Sequence, residues 1–456
     1  MDVLKKRNLF QSNVDMLNGP ILKSLLLFAV PILFSNMFQQ LYNTVDTMIV
    51  GNYLGDTSLA AIGACGSIYE LLVGFALGIG NGLAIVTGRS FGSGDKELLK
   101  KSVATSLIIG MAVSLVISVA GSLCLKPLLN ILNTPADIIN EAYSYISLIA
   151  LFVGVMFAYN LCAGLMRAIG NSVMPLIFLV VSSVLNIVLD ILFITQFNMG
   201  VAGAAIATVI AQGVSVILCI IYIVYKCQIL KPESIHFKID RELYKEMLAQ
   251  GFSMGFMSSI VACGSVILQY GINNLGTLVI AGHIAARKLY MFFNMFFIAM
   301  AQSISTFVSQ NKGANQPSRI RKAMKYAYLY NIIAAFIVSI ILWLFAPVFV
   351  RLISGSNEPV VLSNGSMYLR IVGPFYAVLG ILFDTRFALQ GLGMKILPLI
   401  SSIIELIGKI IFVVLLIPRF EYIAVIFCEP VIWCFMTVQL VITFYTNSFI
   451  KGAKGD

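Results

Sequence analysis

Twelve apolar runs, each longer than twenty residues and separated by short polar loops, constrain this chain more than any other feature. They fall near 21–50, 59–88, 102–125, 139–165, 175–196 and 201–226, then near 251–273, 278–308, 323–345, 362–390, 397–418 and 422–447. About 20 apolar residues in a helix cross the roughly 30 Å of bilayer hydrocarbon, so each run is long enough to span. Charged residues make up only 11% of the chain and hydrophobic ones 59%, against a charged share of about 25% in soluble globules. The expected fold is therefore an all-α polytopic membrane protein.

The net charge of +10 would fit a nucleic-acid partner if it formed a surface patch, but its distribution argues against one. Threading the twelve spans puts twenty-two of the 30 Lys and Arg on one side, among them Lys96, Lys100 and Lys101 and the cluster Arg319, Arg321, Lys322 and Lys325. Lys126, Arg351 and Arg419 fall on the other side, and five lie within spans. This is the positive-inside pattern, and it places both termini in the cytoplasm of a multi-pass cell-membrane protein. Lys5, Lys6 and Arg7 are followed by polar residues, and no small-residue cleavage site closes the first run, so no removable signal peptide is expected.

The chain repeats itself. Asn52, Leu54, Gly55, Ala60 and Gly92 recur 221 positions later as Asn273, Leu275, Gly276, Ala281 and Gly313. Gly170 and Pro175 recur 223 positions later as Gly393 and Pro398. Each half holds six spans and starts on the same side, so the halves are expected to be pseudo-symmetric lobes, a parallel repeat about an axis along the membrane normal. The expected division is a segment 1–20, a first lobe 21–226, a cytoplasmic linker 227–245, a second lobe 246–447 and a tail 448–456. Substrate sites in such proteins lie between the halves near the midplane.

Within the first span the stretch QQLYNTVDTMIVGNYLG holds a lone acid, Asp46. On a 3.6-residue period Asn36, Gln39, Asn43 and Asp46 share one face, away from most of the apolar residues. An ionisable group at that depth costs about 2.5–3.5 kcal/mol on insertion scales, which marks an ion path or a substrate site. A buried, protonated Asp that only hydrogen-bonds a neighbouring helix fits the same pattern. Pro31 removes a backbone hydrogen bond and should kink this helix, either structurally or as part of a gate. Gly74, Gly78, Gly80 and Gly82 should let the second span pack closely against a neighbour.

The fifth span contains VSSVLNIVLDILF, where Ser183, Asn186 and Asp190 share a face. The sixth offers Thr208, Gln212 and Ser215. If these faces meet that of Asp46, two carboxylates, an amide and a hydroxyl surround one pocket whose hard oxygens suit a proton or a small cation. A merely structural polar cluster is the other reading. The positions of the second half that correspond to Asp46 and Asp190 are Ile267 and Val413, so only the first half can host this site.

The second half has its own charges. Glu405 and Lys409, one turn apart, read as an internal ion pair. Asp384 and Arg386 lie near the cytoplasmic end of the tenth span, and Glu429 precedes Pro430 in the twelfth; among these acids Glu405 and Glu429 are the candidates for transport. His236 lies in the linker and reads as solvated, and His283 as a hydrogen-bonded residue near a helix start. The eight cysteines have no CxxC pair and no flanking His, so neither a metal site nor a disulfide framework is expected. No nucleophile, metal or acid–base motif is visible, which argues against an enzyme. Tyr42, Tyr159, Met166, Met257, Gln269, Tyr290 and Met295, with Gln39 and Asn43, are candidates to line a substrate cavity, since Met and aromatic surfaces suit amphipathic and cationic ligands. Core packing explains any one of them equally well.

The stretches QQLYNTVDTMIVGNYLG, LMRAIGNSVMP and LNIVLDILF, with VAGAAIATVIAQ after them, resemble the multidrug and toxic compound extrusion (MATE) family in its DinF-like branch. The resemblance covers essentially the full chain. It implies two six-helix lobes around a V-shaped cavity, and export of organic cations or other xenobiotics as H⁺ or Na⁺ enters, with no further cofactor. The family's cation-site residues fall on Asp46, Asn186, Asp190 and Thr208, and its kinked first helix on Pro31. NorM-like members carry further acids in helices seven and ten; helix seven here has Gln269 instead. The partners implied are small organic, cationic or amphipathic substrates and membrane lipids, and the chain is expected to be monomeric. A flippase for lipid-linked precursors, sharing this superfamily, is the rival transport reading; a membrane-embedded enzyme and an ion channel are weaker rivals.

Overall fold

The computed structural model describes residues 13–132 and 134–452. Lys5, Lys6, Arg7 and Lys454 of the topological count lie outside the described residues. Fifteen helices follow one another: α1 (Ile21–Leu54), α2 (Asp56–Ala64), α3 (Gly66–Gly92), α4 (Lys96–Ile131), α5 (Ile139–Leu151), α6 (Val153–Ala168), α7 (Val173–Ile191), α8 (Gly200–Lys226), α9 (Arg241–Asn273), α10 (Thr277–Gly313), α11 (Pro317–Ser354), α12 (Pro359–Gly391), α13 (Ile396–Ile411), α14 (Ile417–Thr446) and α15 (Ser448–Lys451). No strand occurs among the described residues.

Ten of these stretches are separately long and apolar enough to cross a bilayer, and α5 with α6, bent by 47° at Phe152, makes an eleventh. The continuous stretch Ile396–Thr446 is 51 residues long, about 76 Å at 1.5 Å per residue and more than twice the hydrocarbon thickness. It breaks at Glu421, whose φ of 47° and ψ of −131° are not helical, so it supplies two spans. The total is the twelve that the apolar runs predict. Two runs differ in detail. The run 59–88 is divided at Cys65 into α2 and α3, where Gly63 and Gly66 weaken helix propensity on both sides. The linker is shorter than expected, because α9 begins at Arg241.

The internal repeat is written in the backbone. Gly55 (φ 86°) precedes α2 and Gly276 (φ 91°) precedes α10, a left-handed conformation that a Cβ disfavours. A π-helical turn follows α7 at Leu192–Gln196 and another follows α13 at Phe412–Leu416. Asn198 (φ 50°) and Glu421 (φ 47°) then reverse the chain in each half.

The chain resolves into two compact units. One comprises residues 13–19 with Val30–Ser259, the other Pro20–Ala29 with the chain from Ile260 onward. The division therefore differs from the lobe boundaries drawn on the sequence at both ends. The first break lies between Ala29 and Val30, one residue before Pro31, which cannot donate a backbone hydrogen bond. The start of α9 stays with the first unit because glycines of α3 and α9 meet there. A Cβ at Gly78 would lie 2.8 Å from Gly255 Cα, and one at Gly82 would lie 2.7 Å from Gly251 Cα. Two small residues four apart on each helix permit this close approach. Gly80 instead faces the Phe157 ring, and nothing lies close to Gly74.

Candidate functional site

In the first unit, the polar faces of α1, α7 and α8 converge. The carboxyl groups of Asp46 of α1 and Asp190 of α7 lie side by side, an arrangement in which a single proton can be shared between two acids. Asp190 is completely buried and Asn186, one turn earlier, is almost so. With its amide nitrogen facing the carboxylate, Asn186 donates to Asp190 Oδ2 at 3.1 Å and accepts from the Thr208 backbone N–H at 3.3 Å. The Tyr42 hydroxyl lies beside the Thr208 side chain. The four residues expected from the sequence, Asp46, Asn186, Asp190 and Thr208, are thus brought together, and Tyr42 joins them.

The set is rich in unsatisfied oxygen. Asp46 Oδ1, Asp190 Oδ1 and Gln212 Oε1 are buried and have no hydrogen-bond partner among the described residues. Buried acceptors left this way are costly, and their hard oxygens are chemically suited to a proton or a small cation. The face of α1 that reaches the site is offset from the one drawn on the sequence. Tyr42 and Asp46, four residues apart, point to α7 and α8, whereas Gln39 and Asn43 are exposed. Pro31 lies within α1, where its carbonyl accepts from Ser35 Oγ at 2.9 Å.

Other cavity candidates do not gather here. Tyr159 and Met166 pack into a buried cluster with Cys162, Met174, Phe178 and Cys219, where the Tyr159 hydroxyl donates to the Pro175 carbonyl at 3.2 Å. Met166 is fully buried, so it serves as core. Met257 is buried as well. Gln269 is exposed and donates to Asn273 Oδ1 at 2.7 Å along its own helix.

The second unit holds a larger buried ion network than the Glu405–Lys409 pair read from the sequence. Lys409 Nζ contacts Glu405 Oε1 at 2.9 Å and reaches Glu429 Oε1 at 3.9 Å. Glu429 Oε2 takes a 2.6 Å ion pair from Arg287 of α10, and Arg386 Nη2 lies 3.9 Å from Glu405 Oε2. The Tyr368 hydroxyl bridges Arg287 and Glu429 at 3.3 and 3.4 Å. The Arg287 guanidinium lies 4.4 Å from the centre of the Tyr290 ring, and that ring stacks with Tyr376 and Trp433. Met295 is buried on the same helix. Arg287 escaped the sequence reading because basic residues inside spans were only counted; an Arg-Lys pair within an otherwise apolar run was the available signal.

Of the two histidines, His236 departs from expectation, while His283 is hydrogen-bonded near a helix start, as expected. His236 is 2% exposed, since Nε2 sits 3.0 Å from Glu97 Oε2 and Nδ1 accepts from the Glu233 backbone N–H at 2.9 Å. The linker folds its ring onto α4 instead of leaving it in water. His283 is buried one and a half turns into α10, with Nδ1 3.3 Å from the Tyr422 hydroxyl. Asp384 is likewise buried and accepts from Asn331 Nδ2 at 2.6 Å.

Comparison with known proteins adds an independent line. The MatE family model matches the chain twice, at residues 31–192 and 254–415, repeating the internal offset. Over 395 residues the chain is 26% identical to the probable multidrug resistance protein YpnP of Bacillus subtilis strain 168, covering 86% of this chain and 87% of that protein. It is 24% identical over 400 residues to a protein of Shewanella oneidensis named FAD transporter, covering 86% and 87%. The fold superposes on a crystal structure of MATE in the bent conformation with a TM-score of 0.87, 22% identity, and coverage of 97% of this chain and 99% of the other.

Proposed function

We propose, from the premise that the chain belongs to the MatE family and is a membrane transporter rather than an enzyme, that it exports small organic cations or amphipathic xenobiotics in exchange for inward H⁺ or Na⁺. The observation that carries this reading is the Asp46–Asp190 carboxyl pair, with one orphaned oxygen on each acid. The ion is cargo: it loads onto these carboxylates from outside, assisted by the Asn186 amide and the Thr208 hydroxyl. Loading favours release of drug outward, and alternating access of the two lobes then discharges the ion to the cytoplasm. Each net charge moved inward through 100 mV supplies about 2.3 kcal/mol, roughly a fiftyfold concentration ratio for a neutral compound, whereas one-for-one exchange for a monovalent cation draws on the ion's concentration gradient alone. The experiment is uptake of a fluorescent organic cation into inverted membrane vesicles under separately imposed proton and sodium gradients. Uptake driven by neither gradient would overturn the proposal.

A second reading has its own support. The network of the second unit contains three cationic groups, Arg287, Arg386 and Lys409, against two carboxylates, Glu405 and Glu429, and it abuts stacked aromatic rings. Together with the Shewanella relative's name, this favours an anionic aromatic cargo. Flavin transport in the same vesicles separates the two.

A further inference from the structure

The outer face of α11 and α12 carries a charge for which neither reading has a use. Arg370 is the twelfth residue of the 33-residue α12. With that helix centred on a span of about 20 residues, it lies roughly 8 Å inside the hydrocarbon boundary at the α11–α12 connection. It is exposed there, and among the described residues no carboxylate pairs with it. Its Nε donates to the Trp343 carbonyl at 3.2 Å, and its guanidinium lies 5.9 Å from the centre of the Trp343 ring. That fixes the plane of the group while leaving the terminal nitrogens for another acceptor.

Two grooves meet at this arginine. One, of about 450 Å³, runs toward the α11–α12 connection past Ser363 and Ser366. Ser366 is 5% exposed, and its hydroxyl has no hydrogen-bond partner among the described residues. The other groove, of about 510 Å³, runs toward the middle of the helices past Phe336, Trp343 and Pro374. Trp343 and Phe336 are themselves 66% and 67% exposed, as side chains facing acyl chains are.

We propose that this is a binding site for one anionic glycerophospholipid. The phosphodiester would sit between Arg370 and the Ser366 hydroxyl in the first groove, and an acyl chain would lie in the second against Trp343 and Phe336. The order of the grooves matches the lipid: the one that carries the two serines lies toward the membrane surface and the one that carries the aromatic rings toward the midplane. A charged side chain in hydrocarbon is tolerated where it snorkels or finds a counter-charge, and a guanidinium fork matches a phosphate better than an ammonium does.

Trp343 is a built-in probe, and Trp433 supplies a background that a Trp343→Phe variant removes by subtraction. The protein is reconstituted in vesicles of phosphatidylcholine containing increasing brominated phosphatidylglycerol or, in a second series, brominated phosphatidylcholine. Half-maximal quenching of Trp343 is expected at roughly tenfold lower mole fraction of the anionic lipid, and Arg370→Gln should abolish that difference. Arg370→Lys should keep part of it, and Ser366→Ala, which leaves the arginine in place, should reduce it severalfold. Gel filtration of each variant reports its folding independently. Identical curves for the two lipids in the unmodified protein, or a preference that survives Arg370→Gln, would overturn the assignment. So would reversal of the quenching by inorganic phosphate alone, since the site would then hold a free anion.

Discussion

Asp46 and Asp190 are 144 residues apart in the first lobe's sequence, yet their carboxyl groups lie side by side. Asn186 holds Asp190 from one side, and Tyr42 lies beside Thr208. Each acid keeps one oxygen without a partner among the described residues. Burying an unpaired acceptor costs about 1–3 kcal/mol, and the variants below separate an ion-holding pair from a structural one.

Asp46→Asn keeps the shape of the side chain and removes its charge. It should abolish ion-coupled efflux in vesicles while leaving expression and folding intact. Asn186→Ala removes one donor to a carboxylate, a bond worth about 1.5–3 kcal/mol. The ion concentration for half-maximal exchange should therefore change by roughly 10- to 100-fold, with maximal transport retained. Unchanged exchange in Asp46→Asn would remove the acid pair from the mechanism.

The Arg287–Glu429 pair lends itself to a double-mutant cycle. Removing one partner of a buried ion pair costs about 3–5 kcal/mol, because the other charge is stranded, whereas apolar replacement of both is often neutral. Arg287→Met and Glu429→Leu should each lower the melting temperature of the detergent-solubilised protein substantially. The double variant should melt above either single one. Additive losses would mean that Lys409 and Tyr368 compensate for each partner independently.

The twelve spans and the repeat were legible because bilayer length and backbone satisfaction leave few alternatives to a long apolar helix. Asp46 and Asp190 were legible for a related reason, since an acid is conspicuous where everything around it is apolar. Face assignment on α1 was less secure. A 3.6-residue period groups Asp46 with Asn43 and Gln39 as readily as with Tyr42, and only the position of α7 and α8 decides between them. Arg287 and the buried ring of His236 depend on partners far away in the chain, Glu429 and Glu97. No local pattern announces such pairings. The break at Phe152 had little signal either, since no proline marks it and Gly154, two residues on, is one of many glycines within the spans.

The glycines of α3 divide into those that carry packing and those that do not. Gly78 and Gly82 face the α9 backbone at distances that leave no room for a Cβ, and Gly74 has open space. Gly78→Ala and Gly82→Ala should each destabilise the protein by about 1–3 kcal/mol, as overpacking of tight interfaces does. Gly74→Ala should be neutral or slightly stabilising, since Ala is the better helix former. Thermal melts of the three variants check the ordering, and equal shifts would argue against the close α3–α9 approach.

The linker is tied to α4 by Lys100, whose Nζ lies 2.5 Å from Glu233 Oε1, next to the His236–Glu97 contact. Lys100 holds the Glu233 carboxyl below its ordinary range, first through the hydrogen bond and then through its charge. A depressed carboxylate contributes its tether fully above the ordinary Glu value of about 4.3 and loses it as the pH falls below that. The pair is exposed, so its effect is local rather than global. Hydrogen exchange of the amides at 228–240, corrected for intrinsic pH dependence, should therefore show protection that falls on acidification. Glu233→Gln should lower protection at neutral pH and remove this part of the pH response.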